Sequence, residues 1–305
     1  MVFTSFEELR AHARENAHAS RVAVAGAADA HTLEAVARVA AEGIVRPVLV
    51  GDSGEIRAAM AEAGMAEAGV DIVQATEPAE IAACAVSLVR EGEADFIMKG
   101  KLETSDVLRA VVNKQTGLGQ GRTMSHIAIN EVPSYHKLLI TTDGGMLLAP
   151  TVDQKRDVIT NAVEALRSLG YDEPKVGVLA AAERVNPKSL DSVDAAELKR
   201  VWAAGELPGC VLEGPISLDL ALVPERAKTK GYDSPCAGDC DVLVVPNITA
   251  GNILGKSLVE MAGAKMAGLI VGARCPIVVT SRGSSAEEKY NALVIAASMV
   301  APKEA

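Results

Sequence analysis

Four times in this chain of 305 residues a short apolar run, rich in β-branched side chains, ends in small or polar residues with a helical pattern directly behind it. The runs are Arg21–Gly26, Pro47–Asp52, Asp95–Met98 and Asp241–Pro246. Period-two or continuous apolar stretches of this length read as strands, and recurrence every third or fourth residue reads as helix. Strands linked through helices lie parallel, because the crossover must return the chain to the edge of the sheet it left. The alternation therefore predicts an α/β protein of mostly parallel sheets with helices on both faces. It leaves no room for an all-helical bundle or a sandwich.

One stretch breaks the rhythm. Ser125–Asn130 and Lys137–Thr142 are two strands with only Glu131–His136 between them, too short for a crossover helix, so they predict an antiparallel pair. A chain of this length fits two domains of ordinary size, and the passage from one to the other is placed just after this pair. Beyond it the pattern predicts helix Val152–Ser168, strand Val176–Ala180, helix Ser192–Ala203 and strand Cys210–Leu212, the last broken by Glu213-Gly214-Pro215. Thr104, Ser105 or Asp106 is expected to cap the helix that follows Lys101.

Composition excludes several partners. A formal charge of −10 and 3% aromatic content argue against binding nucleic acid or an anionic membrane surface, for want of both positive field and stacking rings. Five scattered cysteines in a chain of this size do not suggest a disulfide framework, and Cys236-x3-Cys240 has neither a second pair nor a histidine cluster to complete a zinc site. The opening residues carry charges where a signal peptide needs its apolar core, and no uncharged apolar run could span a bilayer. A cytoplasmic protein is expected.

Two junctions gather chemistry. After Cys275–Thr280 come Ser281 and Arg282, and a helix pattern opens near Ser285-Ala286-Glu287-Glu288. A strand, a tight turn and a helix N-terminus make a place for an anion, and this one adds a hydroxyl, a guanidinium and two carboxylates. The same four residues fit a capping box, in which Glu288 reaches back to the backbone of Ser285. The second junction is Lys99-Gly100-Lys101, with Arg109 inside the next helix. Ligands of α/β sheets collect at the C-terminal ends of strands, which is where both junctions lie. Neither G-x-G-x-x-G after the first strand nor G-x-x-x-x-G-K-[ST] occurs, and His126 and His136 are read as structural.

Taken together, Ala94–Gly100, Ala237-Gly238-Asp239 with Asp241–Pro246, Ala250–Ile253 and Thr280–Gly283 resemble the phosphate acetyltransferase and phosphate butyryltransferase family, in the family's order and over nearly the whole length. Met98-Lys99-Gly100 and the Ala-Glu-Glu-Lys after Ser281-Arg282 look closer to the butyryl branch. The resemblance implies a two-domain fold of the isocitrate and isopropylmalate dehydrogenase type with an interdomain cleft. Residues 1–140 with 276–305 would form the first domain and 141–275 the second. It implies a homodimer or larger homo-oligomer, acyl-CoA and inorganic phosphate as substrates, no metal, and no cofactor beyond CoA as substrate. The family's Ser-Arg pair and its acidic residue six positions on fall on Ser281, Arg282 and Glu288, with Glu287 adjacent.

The chemistry suits those residues. In the direction of thioester synthesis the thiol of CoA must ionise before it attacks the acyl phosphate. A carboxylate can take the proton, a hydroxyl can orient the sulfur, and a guanidinium can neutralise the oxyanion. Lys99, Lys101, Arg109 and Arg122 are candidates for the phosphates of CoA or free phosphate, and Ser125, Gly251 and Asn252 complete the expected substrate-binding set. Two other functions keep the fold: a non-catalytic sensor of CoA or acyl phosphate, which needs the cleft but not the base, and a dehydrogenase, which changes the chemistry. The second lacks a legible nicotinamide site and a carboxylate cluster for a divalent metal.

Overall fold

A computed structural model describes residues 1–280 and 283–301. The chain is a mixed α/β protein that divides into two compact units, one of Met1–Phe6 with Thr123–Met266, the other of Glu7–Arg122 with the chain from Ala267 onward. Among the described residues no helix is long and apolar enough to cross a membrane.

The chain opens with α1 (Phe6–Glu15) and then alternates through β1 (Ser20–Ala25), α2 (Ala30–Ala41), β2 (Val45–Gly51), α3 (Ser53–Glu62), β3 (Asp71–Gln74), α4 (Pro78–Arg90), β4 (Phe96–Lys99) and α5 (Thr104–Val111). The strands pair in parallel, Val22 opposite both Pro47 and Phe96, as crossover helices require. Asp29 caps α2 by accepting from Thr32 N–H, and Asp52 does the same for α3 at Gly54 and Glu55. The cap of α5 corrects the sequence expectation: Glu103 holds the N-cap position with no side-chain bond, and Thr104, Ser105 and Asp106 are already helical.

The middle of the chain builds the other unit. The hairpin of β5 (Ser125–Glu131) and β6 (Leu139–Thr142) is antiparallel, Ile129 opposite Ile140. It is followed by α6 (Val152–Ser168), β7 (Lys175–Leu179), α7 (Leu190–Ala203), β8 (Val211–Ile216), α8 (Leu218–Leu222), α9 (Pro224–Lys230), β9 (Val242–Val244) and α10 (Ile248–Ala262). Strand order here is β5-β6-β9-β7-β8, parallel from β6 onward. Leu139, Leu179, Ile216, Leu220, Leu243 and Val245 pack with Cys236 and Cys240 into one buried cluster. β8 continues through Glu213-Gly214-Pro215, where the sequence predicted a break, but the ladder is irregular there: Glu213 is opposite Gly177 and Ile216 opposite Leu179, so one extra residue stands on β8, and the Gly214-Pro215 peptide is cis. β8 is the last strand of this order, and proline is tolerated on an edge because the amide it lacks has no partner to serve.

The chain then returns to the unit of Glu7–Arg122 with β10 (Lys265–Val271), β11 (Ile277–Val278) and α11 (Ala286–Met299). The strand order there is β3-β2-β1-β4-β11-β10. β11 is parallel to β4 and antiparallel to β10, so this sheet is also mixed. α11 carries apolar groups on all sides because Lys289 to Ala297 are all buried, with α2 among its neighbours. Leu293, Val294 and Ile295 have no exposed surface, and each contributes about 1.5–3 kcal/mol of burial to holding the helix in place.

Candidate active site

The C-terminal ends of β1, β4 and β11 lie next to one another. The turn after β4 is stitched to the end of β1: Gly100 N–H donates to Ala25 C=O at 2.8 Å and Lys101 N–H to Gly26 C=O at 2.7 Å. A Cβ on Gly100 would sit 2.3 Å from the Gly26 oxygen, so only glycine fits this crossing. β11 joins from the other side, with Ile277 opposite Ile97 and Val278 opposite Met98. The chain leaving β11 through Val279 and a buried Thr280 therefore starts from the level of Lys99. Ser281 and Arg282, which follow directly, lie outside the described residues.

The two lysines differ. Lys99 is buried, and its ammonium donates to the carbonyls of Gly100 and Leu102 at 3.2 Å each, so it braces the turn from inside. Lys101 is exposed. Arg109 pairs with Asp106 at 3.0 Å and, with Arg90, edges a groove of about 370 Å³ between α4 and α5 floored by Ala79, Ala83, Val86 and Ala110. Arg122 is partly buried near the end of this stretch of the unit.

At the start of α11 the two carboxylates have different work. Glu288 and Ser285 form the capping box, with Ser285 N–H donating to Glu288 Oε2 at 2.8 Å. The other oxygen, Oε1, has no hydrogen-bond partner among the described residues. Glu287 points elsewhere, bonded to Arg10 and, at 2.7 Å, to Arg38. Arg38 in turn lies 3.7 Å above the Tyr290 ring, where a guanidinium is held by the ring's quadrupole. Burial alone would raise the Glu287 carboxyl; the bonds and charges of the two arginines hold it below its ordinary range. A carboxylate so fully paired is a poor proton acceptor.

The next residue, Lys289, is buried and stands 3.7 Å from Asp29, the cap of α2. Burial pushes Asp29 up, but the Thr32 hydrogen bonds and the Lys289 charge outweigh it and keep the carboxyl ionised. The sequence reading passed over this pair because its members are 260 residues apart; only the packing of α11 on α2 joins them.

The remaining expected residues sit in the other unit. Ser125 is fully buried, and its hydroxyl accepts from Asn161 Nδ2 at 2.9 Å, so it faces α6. Gly251 is a packing glycine: an added Cβ would stand 2.6 Å from Gly144 Cα and 2.8 Å from Val245 Cγ2. Asn252, beside it in α10, is exposed. Among the described residues no three His, Cys, Asp or Glu side chains gather as a metal site.

Comparison with known proteins gives a consistent picture. The family model described as phosphate acetyl/butaryl transferase matches residues 5–84 and 69–297. A phosphate acetyltransferase of Thermotoga maritima is 40% identical over 277 residues, 91% of this chain and 94% of that protein. A phosphate butyryltransferase of Clostridium acetobutylicum is 39% identical, covering 91% and 92%. Among solved structures, a branched-chain phosphotransacylase from Enterococcus faecalis superposes with a TM-score of 0.81 at 34% identity, over 92% of this chain and 98% of its own.

Proposed function

The chain belongs to the phosphate acetyl/butyryl transferase family and is an acyltransferase; from this premise we propose that it moves a short-chain acyl group reversibly between CoA and inorganic phosphate by direct attack, with Ser281, Arg282 and Glu288 as its catalytic group. In the direction of thioester synthesis Glu288 takes the proton of the CoA thiol while Ser281 orients the sulfur. The C–S bond forms, Arg282 neutralises the oxyanion, and the bond between the acyl carbon and the bridging phosphate oxygen breaks as inorganic phosphate leaves.

The observation that supports this reading is the β4–β11 register, with Ile277 opposite Ile97 and Val278 opposite Met98, which brings the chain leaving β11 to the level of Lys99, while Glu288 stands in the first turn of α11. The capping bond does not compete with the base, because it uses Oε2 and leaves Oε1 to accept a proton. The pairing of Glu287 with Arg10 and Arg38 favours Glu288 over its neighbour. Lys101, Arg109 and Arg122 supply local positive charge for the phosphates, with Lys99 holding the turn that presents Lys101. We read the finer architecture as the two-domain isocitrate and isopropylmalate dehydrogenase type; the presence of two compact α/β units supports this. A homo-oligomer in the cytoplasm, working without metal, belongs to the same proposal.

The test is thiol release from acetyl-, propionyl- and butyryl-CoA with and without phosphate, beside Ser281→Ala and Arg282→Ala. Phosphate-dependent release is expected, with loss of Arg282 costing about 3 kcal/mol of transition-state stabilisation, the size of one oxyanion donor. Release that ignores phosphate with all three thioesters overturns the proposal.

A further inference from the structure

Within the unit of Glu7–Arg122, two helices open at one edge of the sheet. β1 and β11 both run parallel to β4, so α2 and α11, which follow them, begin at the same C-terminal edge, and they pack against each other. Each first turn keeps backbone donors in hand. In α2 the Asp29 carboxylate takes the N–H of Thr32 and the Asp29 carbonyl that of Leu33, which leaves Ala30 and His31 without acceptors among the described residues. In α11 Ser285 takes the N–H groups of Glu288 and Lys289, which leaves Ala286 and Glu287. Donors of this kind, at the positive ends of two helix dipoles, favour an anion without making a site by themselves.

Lys289 adds the second element. Its side chain is only 7% exposed, and its ammonium stands 3.7 Å from Asp29 Oδ2, close enough to attract but too far for a hydrogen bond. That oxygen is already engaged by the N–H and the hydroxyl of Thr32. No other acceptor among the described residues takes a hydrogen bond from the ammonium. Lys99, buried as deeply, donates instead to two carbonyls. An ammonium carries three N–H donors, and burying them unmet costs more than burying a neutral group. Charged donors left open beside two helix N-termini suit a compact anion with several acceptor oxygens.

We propose that Lys289, between the first turns of α2 and α11, is a binding residue for a phosphate dianion, the group common to inorganic phosphate and the terminal phosphate of CoA. The choice of these two sources rests on the acyltransferase reading above; the site itself rests on the geometry. Asp29 competes for the same ammonium, so removing its charge strengthens anion binding and removing that of Lys289 abolishes it.

The test compares Lys289→Met with Asp29→Asn, in which asparagine caps α2 as well as aspartate does. Sodium phosphate should raise the melting temperature of wild type more than sodium chloride at equal ionic strength, because an anion bound to the folded form stabilises it by mass action. Lys289→Met should lose that rise and Asp29→Asn should enlarge it. In thiol-release kinetics Lys289→Met should raise a KM by about tenfold or more, the scale of one charged hydrogen bond. A rise in the KM for phosphate assigns the site to inorganic phosphate, and a rise in the KM for CoA alone assigns it to CoA. If Lys289→Met does not fold, Asp29→Asn with Lys289→Met, which removes both charges, takes its place with the same loss expected. A wild type that phosphate stabilises no more than chloride overturns the proposal, as do changes of the same sign in both single variants, which mark a purely structural ion pair. Phosphate stabilisation that depends on Lys289, in protein without phosphate-dependent thiol release, overturns the acyltransferase reading and leaves the site standing.

Discussion

Ser285 and Glu288 hold each other across the first turn of α11: Ser285 N–H donates to Glu288 Oε2 at 2.8 Å, and Glu288 N–H to Ser285 Oγ at 3.1 Å. The bond fixes the Glu288 carboxylate before any substrate arrives, at the helix end where negative charge is favoured. Structural and chemical roles are thus joined in one side chain, and substitutions can separate them. Glu288→Gln keeps the capping geometry and should retain the wild-type melting temperature while kcat falls about 100- to 10,000-fold, the scale of a lost general base. Ser285→Ala should cost about 1 kcal/mol of stability with a far smaller loss of rate. Calorimetry beside thiol-release kinetics decides it; equal rates for Glu288→Gln and wild type would remove Glu288 as the base.

Two glycines are required by backbone that cannot retreat. Gly100 crosses the Gly26 carbonyl and Gly251 crosses Gly144, with added Cβ distances of 2.3 and 2.6 Å. Gly100→Ala and Gly251→Ala should each destabilise by about 1–3 kcal/mol, the usual cost of overpacking. Gly43→Ala is the control for local crowding, since nothing lies within 4 Å of its Cβ position, although its φ of +73° adds some strain of its own. Urea unfolding of the three variants measures the difference, and equal midpoints would show that the close crossings relax freely.

Acid should weaken the unit that contains Asp239. Burial raises that carboxyl, but hydrogen bonds from Lys137, Lys175 and His136 outweigh it and hold the pKa well below the ordinary range. A depressed carboxylate binds its proton less readily folded than unfolded. Its contribution is complete above the unfolded value, about 3.9, and is lost as pH falls through that value towards the folded one. Asp239→Asn should therefore be less stable than wild type at neutral pH, with the gap closing in strong acid. A gap independent of pH would assign the effect to packing.

Thiol chemistry should be nearly silent in the native protein. Cys210, Cys236, Cys240 and Cys275 are buried and only Cys84 is partly exposed. Burial pushes Cys275 up to about 12 and Cys210 up to about 11, far from the thiolate form. A thiol reagent at neutral pH should label about one cysteine in native protein and all five after unfolding, because the thiolate is the reactive species. Rapid labelling of Cys236 or Cys240 would reveal opening of the core they share.

Much of the architecture was written locally. Each strand-turn-helix junction is set by neighbours in sequence: β-branched runs make strands, Asp29, Asp52 and Asn247 cap the helices behind them, and Ser285 with Glu288 spells its own box. What lay beyond reach were facts made by residues distant in the chain. Whether Glu287 is spare depends on Arg10 and Arg38, 277 and 249 residues away. Whether Pro215 ends a strand depends on its standing at an edge, and the Ser125 hydroxyl is engaged by Asn161, 36 residues away. Local sequence determines backbone preference and hydrogen bonding within a turn or two. Burial and ion pairing are set by what the other elements bring to a position, so only the tertiary structure decides which polar groups are consumed by the fold and which are left for chemistry.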